Sequence, residues 1–94
     1  MYIKKSELTL HKEKIIKSIG KYVRHFKGNH YQILGIGEHT ETGEVGVFYK
    51  ALYGEFKCYF RPLDMFCSYT DKIKHPEATQ EFRFEVIENE NPIC

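Results

Sequence analysis

The sequence has no tryptophan, only three prolines and only three cysteines among 94 residues. Cys58, Cys67 and Cys94 are odd in number and irregularly spaced. They make neither a Cys-x-x-Cys pair nor an even disulfide set, which argues against a disulfide scaffold and the common zinc patterns. Long apolar runs are also missing. The opening "MYIKKSELTL" holds no stretch long enough for a secretory signal, and no later stretch is long enough to span a membrane. These absences point to a reducing, cytoplasmic compartment and no membrane. The length suits one domain with one core.

Aromatic residues are abundant. Seven Tyr and seven Phe make 15% of the chain and concentrate between Tyr22 and Phe84. Such residues favour half-buried pleated surfaces, so the core is expected to be β-rich. Charge is unevenly placed. Residues 1–30 carry eight Lys/Arg against two acids, a balance of +6, and the rest carry six against eleven, a balance of −5. The basic third suits either a solvated face or contact with nucleic acid.

Residues 1–20 form an N-terminal extension in which Thr9 would cap a short helix, although "ELTL" reads equally as a brief strand. Leu8, Ile15, Ile16 and Ile19 would form its apolar edge, and Gly20 would end it. From Tyr22 the period changes to two. "YVRHF", "HYQILGIGEH", "VGVFYKALY", "FKCYFR" and "FRFEVI" read as five short strands separated by turn signals. Gly35 and Gly37 suggest a bend, and Pro62 ends the fourth strand because it has no N–H for the ladder. The expected fold is mainly β: a small, strongly bent antiparallel barrel over residues 21–88, with residues 89–94 as a C-terminal tail.

The segments "RHFKGNHYQILGIGEHTETGEVGVFYKALYGE", "RPLDMF" and the later "RF" are similar to the bacterial family Domain of Unknown Function 1653. The matching positions include Arg24, His25, Phe26, Lys27 and Gly28. They continue through His39, Glu41, Tyr49, Tyr53 and Gly54 to Arg61, Pro62, Phe66, Arg83 and Phe84. Val23 is an additional residue between Tyr22 and Arg24, and Tyr59 stands where the family has Trp. The resemblance, over about residues 20–87, implies an SH3-like barrel of about five strands. It implies no activity and no catalytic residues.

No pattern specifies a metal or cofactor. His25, His39 and His75 lack zinc spacing, and "GIGEHTETG" has two acids and no Lys-Ser/Thr where phosphate would sit. Cys58 and Cys67 read as buried small hydrophobes. On the third strand Val45, Val47, Tyr49, Ala51 and Tyr53 share one face and Phe48 and Leu52 the other, and both faces are apolar. Either the valine face is inside, or Phe48 and Leu52 are core and the tyrosines line an outer groove. In the following segment Leu52, Phe60, Met65 and Phe66 read as core. Arg61 is expected to pair with Glu55 or Asp64, or to receive a carboxylate or phosphate.

The expected function is a non-enzymatic binding module for a peptide or protein partner. Its candidate residues are Tyr49, Tyr53, Tyr59, Arg61, His39, Glu41, His25 and Arg24. The alternatives are RNA or single-stranded DNA binding through the basic third, and a small enzyme with a His/Arg/carboxylate site. The sequence leaves monomer and homodimer both open.

Overall fold

The computed structural model describes residues 4–88. The chain runs α1 (Glu7–Ile16), β1 (Tyr22–His25), β2 (His30–Glu38), β3 (Val45–Ala51), β4 (Cys58–Pro62), α2 (Leu63–Phe66) and β5 (Phe84–Val86). The five strands form one antiparallel sheet in the order β4-β3-β2-β1-β5. β4 and β5 are the two edges and do not pair, so the sheet is open where the sequence suggested closure into a barrel. The expected tail, 89–94, lies outside the described residues.

Each strand follows from alternation and each connection from turn chemistry. Gly43 and Gly54 adopt φ of 74° and 59° in the β2–β3 and β3–β4 hairpins, a conformation that costs residues with a Cβ. Phe56 shares that region at φ 55° without being glycine, so the β3–β4 hairpin stores some backbone strain. A bulge falls between Ile33 and Gly35 in the β2–β3 ladder, which bends β2 where the paired glycines suggested a bend.

The core forms on one face of this sheet. Ile15, Val23, Ile33, Val47, Tyr49, Phe66, Cys67 and Phe84 make a single buried cluster. Fully burying each large apolar side chain contributes roughly 1.5–3 kcal/mol. Phe66 of α2 and Phe84 of β5 stack with centroids 4.1 Å apart and planes 1° apart. α2 thereby closes the middle of the bent sheet, and Ile15 anchors α1 beside it.

Several expectations change. Ser6, not Thr9, caps α1: its side chain accepts from the Thr9 N–H at 3.1 Å. Ile16 and Ile19 are exposed, and His11 takes the buried position with Ile15. His11 lies one turn before Ile15, so the buried stripe is narrower than the run of isoleucines suggests. The valine face of β3 points inward. Phe48 and Phe60 instead meet on the outer face, 4.9 Å apart and 47% and 46% exposed. Phe60 and Met65 are therefore not core, and Leu52 is only half-buried. Cys67 is buried as expected, whereas Cys58 is exposed on β4.

Candidate functional site

The register of β3 against β4 fixes which side chains share the inner face. Tyr49 pairs with Tyr59 and Val47 with Arg61, so both β4 residues project to the side of the buried Val47 and Tyr49. β4 is an edge strand, and among the described residues no strand pairs with its far side. Tyr59 remains 44% exposed beside the 4% exposed Tyr49, with ring centroids 5.7 Å apart. Tyr31 enters the same face from β2, where it pairs with Ala51. Its ring meets Tyr49 edge-on at 5.4 Å, and its hydroxyl lies 2.9 Å from that of Tyr53. Burial first, then this hydrogen bond, raises the Tyr31 pKa, so all its interactions are those of a neutral phenol.

Two guanidinium groups complete the site. Arg61 donates from Nε to the Tyr49 hydroxyl at 3.2 Å. Arg83 donates from Nε to Ser68 Oγ at 3.1 Å, and its backbone N–H donates to the Ser68 carbonyl at 2.9 Å. Burial and then Arg61 lower the Arg83 pKa, and Tyr49 and then Asp71 act in the other direction. Among the described residues neither arginine is ion-paired to a carboxylate. The acids expected beside Arg61 are engaged elsewhere: Glu55 with Lys57, and Asp64 with Lys12.

His25 reports the same field. Its pKa is lowered to about 4, by burial first and then by Arg83, Lys27, Arg61 and His75. Every charged neighbour in that set is cationic or becomes so on protonation. His25 Nδ1 accepts from the Lys27 N–H at 3.1 Å, so the neutral ring carries its proton on Nε2. The ring is edge-on to Phe84 at 5.0 Å and to Tyr31 at 6.4 Å. The result is a positively charged, tyrosine-walled surface along one end of the inner face. Guanidinium groups in such a setting can make charge-assisted hydrogen bonds to an anion. With a pKa of about 4, His25 is neutral at pH 7, and the charged groups that act on it among the described residues are cationic or become so on protonation.

The fold thus brings together His25, Tyr49, Tyr53, Tyr59 and Arg61 from distant parts of the sequence. It separates the other three candidates from them. His39 and Glu41 belong to the tip of the β2–β3 hairpin, where His39 Nδ1 accepts from the N–H groups of Glu41 and Thr42 at 3.1 and 3.3 Å. Arg24 alternates with the inward Val23 and His25, faces outward, and donates to Gln80 Oε1 at 3.1 Å. Arg83 and Tyr31 were not singled out from sequence. Simple alternation would put Arg83 with Glu85, away from Phe84, but Arg83 precedes β5 and escapes its alternation. Its place in the closing Arg-Phe motif was the available signal.

Other features are weaker. A cavity of about 720 Å³ lies between α1 and the β1–β5 side, and no arginine lines it. It is lined by both lysines and acids, including Lys14 and Glu88, which pair with each other. Lys5 and Lys12 of the basic third are likewise paired, with Glu13 and Asp64. No group of three metal-ligating side chains occurs among the described residues. Burial pushes the Cys67 thiol up to about 12, which makes it unreactive. Among the described residues no helix is long and apolar enough to cross a membrane.

Comparison with known proteins agrees with this geometry in extent. No match is found among curated proteins. A crystal structure of a DUF1653 protein from Bordetella bronchiseptica is similar, with a TM-score of 0.62 and 29% sequence identity. The match covers 77% of this chain and 91% of that one. The model of the family described as a protein of unknown function (DUF1653) matches residues 20–86, the stretch that supplies all five strands and both arginines. The chain therefore belongs to the DUF1653 family.

Proposed function

We propose that this chain is a non-enzymatic binding module that holds an acidic group of a peptide or protein partner on Arg61 and Arg83, against the tyrosine wall. The observation that carries the reading is that Arg61, held by the Tyr49 hydroxyl, and Arg83, held by Ser68, act on one another electrostatically and have no carboxylate salt bridge among the described residues. Partly buried like charges are unfavourable until an anion joins them, so the free protein holds a site preorganised for one. Tyr59 and Tyr53, both more than 40% exposed, offer flat amphipathic rings beside the charges. We take the open, bent sheet to be an SH3-like one whose barrel is left unclosed between β4 and β5. The thiols of Cys58 and Cys67, both free, suit a reducing cytoplasm.

The test is a fluorescence-anisotropy titration with a panel of short labelled peptides, acidic and neutral, plus single-stranded RNA. Acidic peptides are expected to bind the wild type and to lose about ten-fold in affinity, near 1.4 kcal/mol, with Arg61→Gln or Arg83→Gln. The reading is overturned if no acidic peptide binds, or if RNA alone binds and the arginine variants leave it unchanged.

A further inference from the structure

The deeper question is how a partner reaches the arginines, and the free backbone of β4 supplies an answer that rests on the proposed function. The Ala51 N–H donates to the Lys57 carbonyl at 2.9 Å, which sets the phase of the β3–β4 ladder. Antiparallel pairs alternate, so Tyr59 and Arg61 direct their backbone groups toward β3. Cys58, Phe60 and Pro62 direct theirs outward, and among the described residues no strand pairs with β4 on that side. Two N–H groups, those of Cys58 and Phe60, thus face the open edge. Pro62 has none to offer there, which limits pairing to a short segment and guards the edge against extended self-association.

The other edge differs. α1 lies alongside β5, where His11 stacks on Phe82 at 3.9 Å and Lys14 pairs with Glu88. Among the described residues β4 is therefore the edge left without cover.

We propose that the partner is an extended segment that adds to β4 as a sixth strand, with acidic side chains on its inner face and apolar ones on its outer face. The alternation follows from the strand itself. A residue opposite Phe60 shares the outer face with Phe60 and Phe48, which are both about half-exposed and already in contact. Its two neighbours fall opposite Tyr59 and Arg61 on the inner face, within reach of the unpaired guanidinium. Backbone pairing supplies affinity and the two faces supply selectivity. A second copy of this chain fits less well. Pairing β4 with itself about Phe60 would bring two Arg61 side chains to diagonal positions roughly 7–8 Å apart, adding charge to an uncompensated set.

Hydrogen exchange on the full chain, followed by NMR, tests the proposal with the blocked peptide acetyl-Ser-Val-Glu-Val-Glu-Val-Ser-amide. The expected result is new protection at the amides of Cys58 and Phe60, with little change at Tyr59 and Arg61, whose amides already bond to β3. Proline in place of the central valine should weaken binding about ten-fold or more, as should glutamine in place of both glutamates. If the peptide binds through Arg61 but leaves the edge amides unprotected, and the proline peptide binds equally well, strand addition is wrong while the arginine site stands. If no acidic peptide binds at all, both readings fail. If the Cys58 and Phe60 amides are already protected without peptide in a dimer seen by sedimentation, a second copy occupies the edge and the proposal is overturned.

Discussion

Arg61 donates from Nε to the hydroxyl of Tyr49 at 3.2 Å, across one diagonal step of the β3–β4 ladder. This bond joins the core to the edge. Tyr49 is 4% exposed and buries its ring against Phe66 and Phe84, while its hydroxyl orients a guanidinium at the surface. Tyr49→Phe keeps the ring and removes the acceptor. It should cost on the order of 1 kcal/mol in stability, read by urea unfolding. Affinity for an acidic peptide should fall roughly three- to ten-fold, because Arg61 loses its positioning partner.

The Phe66–Phe84 stack holds α2 onto the sheet. Phe66→Ala should cost about 3–5 kcal/mol, a large share of the roughly 5–15 kcal/mol typical of a single domain. Thermal unfolding measures this directly. Phe66→Leu fills much of the space and should lose clearly less. Equal losses for the two variants would mean that the ring stacking, rather than volume, dominates.

Gly46 lies under the Phe60 ring, where an added Cβ would overlap the ring atoms. The obstructing atoms belong to the far end of a side chain on an edge strand, so the ring can swing away. Gly46→Ala should keep the fold at a cost near the low end of the roughly 1–3 kcal/mol usual for overpacking. It should abolish the nuclear Overhauser contact between Phe48 and Phe60.

His25 makes stability depend on pH. Its folded pKa of about 4 lies below the ordinary 6.5. Above 6.5 the imidazole is neutral in both states and its contribution is fully present. Between 6.5 and about 4 the unfolded chain takes up a proton that the folded protein refuses, so stability falls as pH falls. The urea midpoint should drop from pH 7 to pH 5, and His25→Asn should reduce the drop. His11, also lowered chiefly by burial, acts in the same direction and accounts for dependence that remains.

Much of the fold was legible. The five strands fall where period-two alternation and Gly or Pro turn signals put them, because both properties are local. The helix was legible only in part: the same residues read as a short helix after Thr9 or as a brief strand, and the helix that forms starts at Glu7, capped by Ser6. The inward face of β3 was not legible. Alternation groups Val47 with Tyr49 and separates both from Phe48, but when both groups are apolar it does not say which one faces the core. Covering that face takes Ile15 and Phe66, one from each helix.

The site divides in the same way. The sequence by itself determined the alternation that puts Tyr59 and Arg61 on one face, the turn that returns β4 along β3, and the proline that ends it. Only the tertiary structure decided that Arg83, 22 positions after Arg61, comes into its field while the nearer acids Glu55 and Asp64 pair elsewhere. Only the tertiary structure also left β4 as an uncovered edge. The reason is physical: side-chain alternation is a property of one strand, whereas charge balance and edge exposure depend on which strands and helices meet when the sheet bends over its core.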